Sequence, residues 1–235
     1  MCQRTSEELK GEYSMADISL IIGDAVKDIL DDGKFPDVAD VNYWQARKNR
    51  VFYIDGEIDD YNGDGPDGKL CSIIEIGKVI INMNMEEMNI PKDELKPIIL
   101  MVNSYGGDLA LANNFCDIIK ASRIPIITVA MGATMSAAFL IFISGHKRFV
   151  FKHSSLLVHQ GSGVIGGSAA EIEEAQKHYQ KQIEEMKTYI LENTRIDEKV
   201  FNRNKKKDWY LNAQQCLEMG ICDVIIEHLE DIKMD

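Results

Sequence analysis

Between Ile124 and Gly145 the chain carries no charged residue, and no other stretch limits its folding options so strongly. On length alone this stretch could cross a bilayer. Its interior argues against that. Pro125 and the β-branched run Ile126-Ile127-Thr128-Val129 read as a buried strand, Gly132 to Met135 as a turn, and Ala137 to Ile143 as a buried helix.

Strand-like and helical runs alternate from Arg50 onward. Val51 to Ile58, Ile98 to Val102 and Ile126 to Ala130 have strand character, with helical runs over Ile73 to Met83 and Leu109 to Ile119 between them. Strands separated by helices form βαβ units and a parallel sheet covered by helices, so the fold class is α/β with a mostly parallel sheet. The length of 235 residues suits one domain, or one domain with an appendage.

Composition narrows the partners. A formal charge of -12 opposes binding to nucleic acid or to an anionic membrane, both of which the summed field repels. The dense basic cluster Arg203, Lys205, Lys206, Lys207 is short and reads as a solvated loop. The five cysteines are an odd number with no CxxC pair, which disfavours a disulfide framework or a zinc site and suits a reducing, cytoplasmic setting. The first residues lack the apolar core of a secretory signal.

Ahead of the alternating region, Ile18, Ile21, Ile22, Ala25, Val26, Ile29 and Leu30 fall at helical spacing and end at Asp-Asp-Gly, an amphipathic helix for docking or for packing on its own domain. The expected organisation is an extension over 1–45, a principal domain over 46–228 and a tail over 229–235. Inside the domain, a glycine-rich connection from Gly161 to Gly167 leads to Ser168, which with Glu171 forms a capping box for a long helix over about 168–193. Ile172, Ala175, Tyr179, Ile183, Met186 and Ile190 make one apolar stripe on that otherwise charged helix. Such a helix projects and pairs with another subunit, or lies flat on its own sheet.

Three segments carry the parts of an acyl-transfer site. Ser104-Tyr105-Gly106-Gly107 closes an apolar strand with a glycine turn whose N–H groups are free. Ser136 follows a buried strand and opens a helix among small residues, so its own amide and that of Ala137 can present N–H groups backed by the helix dipole. His159 is delivered by Leu156-Leu157-Val158 from a buried strand end onto a glycine loop, while His146, His153, His178 and His228 fall in polar, surface-like segments. A serine beside alanines is by itself an ordinary helix start, and a lone histidine is equally a core residue. A nucleophile, a base and oxyanion donors together define acyl transfer. The 38 acidic residues leave the third member open, although Asp208 borders the apolar Trp209-Tyr210-Leu211. Asp60-Tyr61-Asn62-Gly63-Asp64-Gly65 matches half a calcium loop, but Cys71 stands where the bidentate Glu belongs, so it reads as an acidic turn with no metal.

From about Arg50 to Ile226 these segments resemble the proteolytic subunit of the Clp protease, a serine peptidase of the ClpP/crotonase fold. Arg50 to Asp59 is similar to the family's first strand, Asn103-Ser104-Tyr105-Gly106-Gly107 to its Asn-Ser-Pro-Gly-Gly turn, and Gly132 to Ala138 to its nucleophile segment. His159-Gln160 resembles its His-Gln pair, Lys207 to Leu211 its Arg-Asp-x-Phe-Met run, and Cys216 to Asp223 its closing Glu-Ala-x-x-Tyr-Gly-Leu-Ile-Asp. The resemblance implies Ser136 as nucleophile, His159 as base and Asp208 as orienting acid, with Gly107 and Ala137 amides as the oxyanion hole. Tyr105, Gly106, Met135 and Gln160 would line the substrate cleft.

It further implies a homo-oligomer of two stacked seven-membered rings with the long helix interleaving between them. Polypeptide would be fed in by an ATP-driven unfoldase such as ClpX, ClpA or ClpC, with no cofactor for peptide cleavage itself. The chain departs from the pattern at Tyr105 (Pro in the family), at Met135 and Ala137 (Ala and Met), and at Gly161 (Pro). Those departures leave in play an inactive ring subunit kept for assembly or to modulate an active paralogue. The fold also admits a crotonase-type acyl-thioester enzyme, against which the presence of Ser136, His159 and Asp208 together tells.

Overall fold

The computed structural model describes residues 38–59, 72–162 and 164–233. The helix expected over Ile18–Leu30 and the acidic turn from Asp60 to Cys71 lie outside them. Two compact units divide the chain, Met1–Asn42 and Tyr43–Asp235. The sheet and the candidate site belong to the second.

The elements run α1 (Val38–Asn49), β1 (Val51–Ile54), α2 (Ile73–Glu86), β2 (Ile98–Ser104), α3 (Leu109–Ala121), β3 (Ile126–Met135), α4 (Ala137–Ile143), β4 (Lys147–Phe151), β5 (Ser155–Val158), α5 (Ala169–Asn193), α6 (Glu198–Asn204), β6 (Trp209–Asn212), α7 (Ala213–Glu218) and β7 (Val224–Ile226). Strand order is β1-β2-β3-β4-β7, all parallel, with β5 branching from the end of β3 and β6 antiparallel to β5. The chain is therefore α/β with a mostly parallel sheet.

Alternation along β2 sends Ile98, Leu100 and Val102 into the main core beneath α2, α3 and α4. On β3 both faces are covered, with Ile126 and Ala130 in the main core and Ile127 and Val129 in a smaller cluster with Phe149 and Ile226. A strand buried on both faces needs the continuous apolar run seen in the sequence. All seven residues of α4 are buried, which is why that segment is apolar all round rather than striped. Among the described residues no helix is long and apolar enough to cross a membrane.

Two local expectations change. β1 ends at Ile54, and Ile58 makes only an isolated bridge to Gly107. Gly132 to Met135 is not a turn but the second half of β3. Gly132 takes φ 60, where an added Cβ would lie 2.5 Å from Asn103 Oδ1, and the Asn103 carboxamide accepts the Ala133 N–H at 3.0 Å. A glycine in a strand that marks a register shift and close approach looks locally like a turn. His146 is exposed, as its polar neighbours suggest, yet its Nδ1 is engaged, accepting the Ile126 N–H at 2.9 Å.

The long helix starts as its capping box requires, with Glu171 N–H donating to Ser168 Oγ and Ser168 N–H donating to the Glu171 carboxylate. At 25 residues, α5 is about 37 Å long. Its only buried residue is Ile190. Met186, Tyr189 and Leu191 join Ile190 against the main core, and the first half of the helix stays exposed.

Burial, and beyond it Lys120 and Lys92, hold the His146 imidazole below its usual range. Its Nδ1 must also stay unprotonated to accept from Ile126. Protonation thus favours the unfolded chain, so this contribution is intact above the ordinary histidine value near pH 6.5 and is lost as pH falls through the lowered folded value. From about pH 7.5 to about pH 5.5 the melting temperature of the parent should drop further than that of His146→Asn. Parallel melting curves for the two proteins count against this linkage.

Candidate active site

Strand register brings the three distant segments together. Met135 on β3 pairs with Leu157 on β5, so the residues that follow, Ser136 and then Val158 and His159, leave the sheet side by side. Across β5, Val158 pairs antiparallel with Trp209 of β6. One step further along that ladder sets His159 opposite Asp208. His159 Nε2 lies 2.7 Å from Ser136 Oγ, and His159 Nδ1 lies 3.4 Å from Asp208 Oδ1. The first is a good hydrogen-bond distance. The second is longer than a hydrogen bond, yet close enough for attraction to a protonated ring.

Ser136 sits on a sharp strand-to-helix turn with φ 54 and ψ -124. A non-glycine residue in that region stores about 1–3 kcal/mol of backbone strain, tolerated only where surroundings fix it. Here its N–H donates to the Leu157 carbonyl at 3.0 Å and its own carbonyl accepts from Phe139 N–H at 3.0 Å. The turn aims Oγ outward at His159. It also corrects one expectation: the Ser136 amide is consumed by β5 and cannot serve an oxyanion. Ala137 carries the first N–H of α4, which has no acceptor within the helix.

The Gly106-Gly107 turn carries the other amide that the resemblance assigns to an oxyanion. Ile58 N–H donates to the Gly106 carbonyl at 2.9 Å, and Asp108 N–H donates to the Ile58 carbonyl at 2.6 Å. In such a parallel bridge the amide of Gly107 faces the opposite side, and among the described residues it has no acceptor. Gly107 has φ 147, and a Cβ there would fall on the Ile58 carbonyl oxygen. At Gly106, with φ 105, an added Cβ would lie 2.8 Å from Ser136 Cβ and 3.0 Å from Ala137 N. Two glycines are thus required, one to admit the Ile58 backbone and one to let the turn lie against Ser136 and Ala137.

Ser104 belongs to the motif, yet reading the sequence assigns its hydroxyl no role. In the fold that buried hydroxyl donates to the Gly56 carbonyl at 2.6 Å and accepts the Gly106 N–H at 3.1 Å. A serine in the last inward-facing position of an apolar strand was the available signal. Tyr105, Gly106 and Gly107 line a cleft of about 520 Å³ with Asp55, Glu57 and Asn103. Tyr105 is exposed, as befits a cleft rim. Met135 is half-buried in β3, and the Gln160 carbonyl accepts a hydrogen bond from Tyr179 of α5.

The imidazole lies 2.7 Å from a serine hydroxyl at a strained turn, a contact of the kind that Ser-His acyl transfer uses. Known proteins are similar to this chain. The Clp protease family model matches residues 75–229. ATP-dependent Clp protease proteolytic subunit 2 of Treponema denticola is 34% identical over 139 residues, which cover 58% of this chain and 70% of that protein. The subunit of the same name from Corynebacterium diphtheriae is 28% identical over 192 residues, covering 81% and 88%. The solved structure of a ClpP1 point mutant from Listeria monocytogenes superimposes with a TM-score of 0.66 at 22% identity, over 81% of this chain and 98% of that one, a likeness of fold. The chain belongs to the Clp protease family.

Gly106→Ala tests the turn directly, because the new methyl must displace either Ser136 or the Ala137 amide. Phosphonylation of Ser136 should slow by about a hundredfold, the scale of losing one oxyanion donor, and the melting temperature should fall, because alanine is strained at φ 105. Labelling at the parental rate shows that the turn does not shape the site.

Proposed function

We propose that this chain is a serine endopeptidase subunit that cleaves unfolded polypeptide inside a self-assembled ring chamber. The observation that carries this reading is the 2.7 Å contact between Ser136 Oγ and His159 Nε2, at a strained turn with the Gly107 and Ala137 amides alongside. His159 takes the hydroxyl proton as Ser136 attacks the peptide carbonyl, and the oxyanion forms against the two amides. The ring then returns the proton to the leaving amine. Water enters, gives its proton to His159 and releases the acyl group. These groups complete the reaction without a cofactor of the subunit's own. Family membership supports a ring chamber, with an ATP-driven unfoldase as the partner that delivers substrate, and α5 offers a long exposed flank for packing between subunits.

A second reading, an assembly subunit of weak activity, has one specific observation behind it. The Asp208 side chain is 61% exposed and stands 3.4 Å from the ring, so solvent screens the attraction that would stabilise an imidazolium. On the peptidase reading Asp208 still fixes the ring orientation.

A fluorophosphonate probe separates the two. The assembled parent should label stoichiometrically on Ser136, Ser136→Ala not at all, and His159→Ala at a rate lower by at least about a thousandfold. Asp208→Asn should cost less than His159→Ala, because the exposed carboxylate contributes through a screened contact. Assembled parent that resists the probe favours the assembly role. Native mass measured on the same sample establishes whether a ring is present.

A further inference from the structure

Two tyrosines on α5 contact the segments that carry His159 and Ser136, Tyr179 just after His159 and Tyr189 at the far end of α4. Tyr179 donates its phenolic O–H to the Gln160 carbonyl at 3.1 Å, one residue beyond His159. The next residue, Gly161, has φ 81, and an added Cβ there would lie 3.4 Å from the Tyr179 oxygen. From Gly161 to Gly167 every described residue is exposed. This connection therefore has no packing of its own to fix the backbone after the imidazole, and the phenol supplies the restraint.

Tyr189 works at the other side. Ser144 is the C-cap of α4, the helix whose N-cap is Ser136. The single Ser144 hydroxyl proton goes to the Leu140 carbonyl at 2.7 Å, so in the 2.7 Å contact with Tyr189 the phenol is the donor. The Cys116 thiol lies against both hydroxyls and is pushed up to about 11, chiefly by burial. A wholly buried helix of seven residues is a rod about 10 Å long that moves as one body. Fixing its far end fixes Ser136.

We propose that Tyr179 and Tyr189 are positioning residues for the Ser136–His159 pair. On this view α5 is the bar that sets their separation, its two hydroxyl-bearing positions spaced about 15 Å along the axis. Tyr179 acts through the base and Tyr189 through the nucleophile helix; neither touches substrate. The proposal rests on the serine peptidase reading and deepens it.

The test is saturation kinetics of fluorophosphonate labelling on the assembled full chain, which separates a maximal rate from a half-saturating concentration. Tyr179→Phe and Tyr189→Phe should each lower the maximal rate about tenfold or more, the scale of a sub-ångström to one-ångström misplacement. Half-saturation, native mass and melting temperature should not change. In a His159→Ala background Tyr179→Phe should cost nothing further, because its effect passes through the ring it no longer has. Ser144→Ala should reproduce the Tyr189→Phe loss, and the double variant should add nothing, which covers the case where Tyr189→Phe folds poorly.

An unchanged maximal rate, an equal loss without His159, or a loss that follows native mass or melting temperature overturns the proposal. A parent that does not label at all rejects the peptidase reading itself, and this one with it.

Discussion

Everything at the candidate site depends on one short strand. β5 has only four residues, yet it is hydrogen-bonded on both sides, parallel to the end of β3 and antiparallel to β6. Its parallel side brings Ser136 and His159 out of the sheet together, and its antiparallel side returns the chain so that Asp208 faces the same ring. A one-residue slip on either side would invert which residues face inward, and the buried Leu156, Val158 and Leu211 oppose that slip. Hydrophobic register therefore sets the chemical geometry.

The second constraint is close backbone approach. Gly106 and Gly107 are held between Ile58 on one side and Ser136 with Ala137 on the other, leaving no room for side chains. Ser104 ties this turn to Gly56 from beneath. With the strained φ of Ser136 held by Leu157, the hydroxyl and the Gly107 and Ala137 amides are fixed by the backbone itself, which on the peptidase reading is where most of the electrostatic advantage originates.

Much of this could be read from residue order alone. Alternating apolar runs gave the α/β class, the uncharged stretch gave β3 and α4, and Ser168 with Glu171 marked the start of α5. Ser136 and His159 stood out through their small or apolar neighbours. Asp208 could be chosen only by resemblance, because its place opposite His159 comes from a ladder between segments far apart in the chain. Gly132 misled because φ 60 serves turns and strand irregularities alike. The use of the Ser136 amide by Leu157, the engagement of His146 Nδ1 by Ile126 and the hydroxyl contacts of Tyr179 and Tyr189 are tertiary facts. In the sequence, Tyr179 was simply one more apolar member of a helical stripe.

The order in which the chain supplies these parts has a bearing on its biosynthesis. Ser136 and His159 are 23 residues apart, whereas β6 and Asp208 arrive only after the whole of α5 has been made. Emerging from the ribosome N-terminus first, the nascent polypeptide exposes its hydroxyl well before the strand that completes the ladder beyond β5 can form. Until β6 has been translated, one flank of β5 is unpaired and the imidazole has no carboxylate facing it. Topology alone thus keeps the candidate site incomplete while the polypeptide is still being made.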